Sequence, residues 1–176
     1  DDKGIGNDEL VGKVQAQAPP TKSSPIGEIF YGYLMLCANS FQPAMGYLYR
    51  ALALQQSDPL LCLLCGVASL GRSTNRQVDN RNHTIMQGMA LFTHYAELRG
   101  DIPEVDYNFA RAYHHLNLVH LAVPRYERVL QRASSKASKG TFDMAREAAF
   151  NLAMIFTQSG SPDLARHLYR TWLAVE

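Results

Sequence analysis

Cysteine is scarce and odd in number: three in 176 residues. With no secretory pattern around them, they offer no disulfide framework and fit a reducing compartment, cytosolic or nuclear. No apolar run approaches the ~20 residues that a bilayer-spanning helix needs. An excess of charge is missing as well. Seventeen Lys and Arg oppose sixteen Asp and Glu, for a net charge of +1. That balance gives no argument for nucleic acid or an anionic membrane. The G-x-S-x-G, P-loop and H-E-x-x-H motifs are all absent, so no enzyme chemistry is announced. The sequence starts at Asp1 without a basic-then-apolar head, and the expectation is a piece of a longer protein.

What is present is a chain that is 47% apolar, enough for one substantial core or a short solenoid. Its helical segments repeat. Gly32 and Ala44 stand twelve residues apart, as do Ala110 and Ala122, and again Ala153 and Ala165. Gly66 follows Gly32 by thirty-four residues, with Gly88 as its displaced counterpart. Two antiparallel helices reach the short end of the usual 8–10 Å axis separation only where small side chains face each other. These eight residues are therefore assigned as helix-crossing points. Tyr113, Tyr126, Phe156 and Tyr169 fill the flanking holes. Gly160 ends one helix in a left-handed conformation, and Pro162 opens the next.

The pattern resembles the tetratricopeptide repeat, a degenerate 34-residue helix-turn-helix. The fold class expected is all-α, a solenoid of about four helical hairpins with insertions. There are departures. Gly66 to Gly88 is 22 residues rather than twelve, and the step from Ala122 to Ala165 is 43 rather than 34. Pro124 lies inside a helical stretch and should bend it. Residues 1–25, rich in Gly, Pro and Ser, read as an irregular lead-in, and 26–176 as the repeat array.

The first helix of each repeat lines the concave side of such solenoids. The candidate partner-binding residues on that side are Ile29, Phe30, Tyr33, Leu36, Leu63, Leu64, Val67, Tyr107, Asn108, Arg111 and His114. The first two units are apolar where a free solenoid should meet water, which suits a groove for a helix or an extended peptide. Equally, upstream repeats or the chain's own lead-in could cover it. A clamp for a C-terminal carboxylate is disfavoured. Asn108 and Asn151 occupy matching positions, but Glu104 and Glu147 stand where such a clamp wants Lys.

Neither metal nor catalysis is indicated. Cys62 and Cys65 have C-x-x-C spacing but lie on an apolar helix without a second ligand pair, and read as core. His114, His115 and His120 cluster without an orienting carboxylate four residues away, while His94 and His167 are isolated. The basic run Arg125, Arg128, Arg132, Lys136 and Lys139 reads as a solvated face, with an acidic partner or DNA phosphate as the alternative. No metal, cofactor or membrane contact is expected.

Three stretches carry a narrower likeness: "RQVDNRNHTIMQGMALFTHYAELRG", "FARAYHHLNLVHLAVPRYERVL" and "AFNLAMIFTQSGSPDLARHLYRTW". They resemble the C-terminal repeats of the large tetratricopeptide subunit of TFIIIC, the RNA polymerase III transcription factor, in its fungal versions above all. The resemblance implies a nuclear, non-enzymatic scaffold in initiation at transfer RNA genes. The implied partners are other TFIIIC subunits and, at one remove, TFIIIB components. A repeat module of another multi-subunit complex is the alternative, and a helical ligand-binding domain a third.

Overall fold

A computed structural model describes residues 24–76, 78–134 and 144–174. Among them are eight α-helices and no strand: α1 (Pro25–Cys37), α2 (Phe41–Leu54), α3 (Pro59–Ser73), α4 (Arg81–Arg99), α5 (Pro103–His115), α6 (Val119–Ser134), α7 (Ala145–Gln158) and α8 (Pro162–Leu168). A π-helical segment, Tyr169–Leu173, continues α8. The expected lead-in falls almost wholly in residues 1–23, outside the described part, as do Lys136 and Lys139 of the basic run.

The helices pair in chain order as α1–α2, α3–α4, α5–α6 and α7–α8, and each pair leans on the next. This is an all-α, tetratricopeptide-like solenoid. Proline opens α1, α3, α5 and α8, where its missing N–H costs nothing. Asp58 caps α3 by accepting from the Leu60 amide at 2.8 Å, and Asn80 caps α4 through His83 at 2.9 Å, as first-turn amides require.

One turn recurs. Asn39, Asn117 and Gly160 all have positive φ, at 54°, 60° and 79°, and each stands seven residues after the small residue of its first helix. The Ser40, Leu118 and Ser161 amides each donate at 2.8 Å to a carbonyl five residues back, in Met35, Tyr113 and Phe156. That is a Schellman closure, and it folds the second helix back along the first. Unit two differs: Ser73, its equivalent position, is still helical, so α3 runs on and the polar insertion follows it.

Gly32, Ala44, Gly66, Gly88, Ala110, Ala122, Ala153 and Ala165 are all buried. A methyl group placed on Gly66 would stand 3.3 Å from the Gly88 carbonyl oxygen and 2.7 Å from the Phe92 ring. The core is three clusters, one per junction between hairpins. Ala44, Leu48, Leu61 and Cys65 anchor the first, Phe92, Tyr95 and Phe109 the second, and Tyr126, Val129, Leu152 and Ile155 the third. The helix α6 passes through Pro124 without interruption.

Candidate protein-binding face

The first helices α1, α3 and α5 adjoin one another, and they carry the anticipated residues. Phe30 and Tyr33 are 57% and 53% exposed, and Val67 is 41% exposed. Ile29, Leu36 and Leu64 are partly buried against the first cluster, and Leu63 against the second. Arg111 is exposed, while Asn108 and His114 are half-buried. Tyr107 lies in the third cluster at 7% exposure, its ring edge-on to Tyr126 with centroids 6.1 Å apart. It is a packing residue, because the turn of α5 that carries it faces α6 rather than the open side.

At the seam between the second and third hairpins lies a cleft of about 330 Å³. Its walls include Leu36, Val67, Asn108 and Arg111, all anticipated, together with Asn39, Phe41, Leu70, Phe92 and His115. The α3 helix lends Val67, Leu70 and Gly71 to it. Phe41, from the start of α2, packs its ring where Gly71 has no side chain, so the first hairpin roofs one end. Sequence periodicity could not place Phe41 here, because it belongs to a second helix and meets α3 only in three dimensions.

The asparagines at matching positions are both engaged within the fold. Asn108 donates to the Tyr95 hydroxyl at 2.9 Å, and that hydroxyl donates to Glu104 at 2.8 Å. Glu104 also pairs with Arg99. Burial, more than these partners, pushes the Tyr95 phenol up to about 12. Asn151 reaches the Tyr107 hydroxyl at 3.3 Å. A pair of asparagines tied to tyrosines in this way ties hairpin to hairpin.

The described part of the basic run is engaged in ion pairs within the fold. Arg125, Arg128 and Arg132, partly exposed along α6, surround Asp106, which is 1% exposed. Arg125 lies 2.8 Å from its Oδ1, and Arg128 and Arg132 lie 2.9 and 3.7 Å from its Oδ2. The Oδ2 atom makes no well-directed hydrogen bond, so it is compensated by charge. Arg128 and Arg132 also hold Asp101, keeping that exposed carboxyl below its ordinary range, chiefly through the Arg132 hydrogen bond. These arginines stitch α5 to α6; they are not a free cationic patch.

His94 is not isolated: its Nδ1 stands 3.3 Å from Glu97 at the surface. His114 sets its ring edge-on to Tyr126, and burial, then Arg111 and His115, lowers its pKa. Cys62 and Cys65 are both buried and free, and burial, with Cys62 beside it, pushes the Cys65 thiol up to about 12. A thiol so placed is unreactive. Among the described residues no cluster of His, Cys, Asp or Glu could hold a metal, and no helix is long and apolar enough to cross a membrane.

No family model matches the sequence. Individual proteins do. Transcription factor tau subunit sfc4 of Schizosaccharomyces pombe is 34% identical over 169 residues, covering 88% of this chain and 17% of that protein. The chain is homologous to part of a TFIIIC subunit. The tau 131 kDa subunit of Saccharomyces cerevisiae is 31% identical over 89% of the chain, and human general transcription factor 3C polypeptide 3 is 27% identical over 84%. The chain thus spans about a sixth of the length of its TFIIIC relatives, 15% to 17%. In those TFIIIC terms, the eight helices are a tetratricopeptide-like section of a multi-subunit transcription factor.

Proposed function

We propose that this chain is a protein–protein interaction scaffold within TFIIIC, acting in assembly of the RNA polymerase III initiation machinery at transfer RNA genes in the nucleus. Residues 26–176 form the binding array and 1–25 its lead-in. Other TFIIIC subunits are its direct partners, and TFIIIB components lie within reach of the assembly. Direct DNA contact is minor, since the arginines of α6 are spent on Asp101 and Asp106.

The observation that carries this reading is the open apolar face: Phe30, Tyr33, Leu60 and Val67 are all more than 40% exposed along α1 and α3. Exposed apolar side chains along two adjoining helices offer an interaction surface. Relatives named as transcription factor tau subunits say what kind of assembly it serves.

The test is affinity purification of the tagged full-length subunit with mass spectrometry, beside a Tyr33→Glu, Leu60→Glu variant. Both positions are more than half exposed, so helical content by circular dichroism should stay put. Recovery of TFIIIC subunits by the parent and their loss from the variant is the expected result. A variant that recovers the same subunits in full places the contact on another face.

A further inference from the structure

We infer that the cleft between the second and third hairpins binds a short acidic–apolar segment of a partner protein. One bulky apolar side chain would sit inside, and an Asp or Glu beside it would pair with Arg111. This rests on the scaffold reading above and adds to it the chemistry of the bound segment.

Size comes first. At about 330 Å³ the cleft is at the lower end of ligand-sized pockets, room for a Leu, Ile or Phe side chain but not for a helix. Leu36, Phe41, Val67, Leu70 and Phe92 give it an apolar lining, so an apolar anchor gains by leaving water.

Charge comes second. The titratable residues lining the cleft are Arg111 and His115; no carboxylate is among them. The acidic residues of α5 point their charge elsewhere: Glu104 pairs with Arg99, and Asp106 with three arginines of α6. Arg111 itself makes no ion pair among the described residues. An exposed guanidinium beside an apolar pocket favours a carboxylate, which it can grip with two parallel hydrogen bonds.

The experiment pans a phage-displayed random peptide library on the immobilised 176-residue chain and measures synthetic winners by fluorescence anisotropy. The expected winners carry Asp or Glu next to Leu, Ile or Phe. Their affinity should fall about tenfold with Arg111→Glu, survive Arg111→Lys in large part, and weaken with salt. Arg111 is exposed, so the melting temperature should hold in both variants. Winners without acidic residues, or indifferent to Arg111→Glu, overturn the cleft assignment; if they are lost on Tyr33→Glu with Leu60→Glu, the face reading stands. No winners, or winners indifferent to every one of these changes, overturn both. Winners that bind only after Asp8→Lys with Glu9→Lys show the chain's own lead-in to be the occupant. A dimer that Arg111→Glu dissociates assigns the cleft to a second copy. Either result overturns the partner assignment.

Discussion

Arg125 Nη1 stands 2.8 Å from Asp106 Oδ1, and the two side chains are 34% and 1% exposed. The pair is therefore lopsided: the arginine can turn to water, and the aspartate cannot. That asymmetry decides what each mutation should cost.

Asp106→Asn keeps the shape and leaves three partly exposed arginines that can be solvated, so about 1–2 kcal/mol is expected. Arg125→Ala with Arg128→Ala strands a buried carboxylate with Arg132 alone, 3.7 Å from Oδ2. Roughly 3–5 kcal/mol follows from leaving such a charge uncompensated. Urea denaturation at neutral pH ranks the two. A smaller loss for the double arginine variant would mean that Asp106 is better hydrated than its burial implies.

The helix crossings can be probed with two glycines of one type and opposite surroundings. Gly66→Ala drives a methyl group to 2.7 Å from the Phe92 ring and 3.3 Å from a backbone oxygen that cannot retreat, for a cost of about 1–3 kcal/mol. Gly27→Ala meets nothing within 4 Å and lies within α1, so it should stabilise by about 0.5–1 kcal/mol. Thermal melts of the two should move in opposite directions. Equal shifts would remove close packing as the reason for small residues here.

Tyr126 is fully buried, and its hydroxyl has no hydrogen-bond partner among the described residues. Burial raises its pKa above the ordinary 10.0. Deleting an unpartnered buried hydroxyl removes a desolvation cost while keeping the ring. Tyr126→Phe should leave stability unchanged or raise it by about 1 kcal/mol. A substantial loss on calorimetry would reveal a partner, such as an internal water.

His114 titrates below its ordinary 6.5 because burial, and then Arg111 and His115, disfavour its charged form. The unfolded chain then takes up a proton more readily than the folded one. This stability is whole above about pH 6.5 and is lost as pH falls through the depressed folded value. His114→Gln should accordingly flatten the fall in melting temperature on that acid side and leave the values above about pH 7 nearly unchanged. Identical pH profiles would place His114 in water.

Much of this architecture could be read before any coordinates. The twelve-residue spacing of small residues reflects a fixed geometry: a crossing, half a helix, a Schellman turn and half a helix back. Gly160 announced that turn because glycine advertises positive φ. Asn39 and Asn117 adopt the same conformation without advertising it, since asparagine is equally at home elsewhere. The ion pairs of the basic run were not legible, because a sequence shows cations on one helix and not Asp101 and Asp106, which they meet at the start of another and just before it.

Helix order and hairpin number were legible in the sequence alone, because both depend on contacts whose spacing is set by 3.6 residues per turn and one tight loop. Tertiary structure decided which charges are free and where the cleft lies. Arg111 and Arg125 look alike in the sequence; only packing gives the second a buried carboxylate and leaves the first beside an apolar hollow. Phe41 and Gly71 meet there although thirty positions apart in the chain, and no local pattern encodes a meeting of that kind.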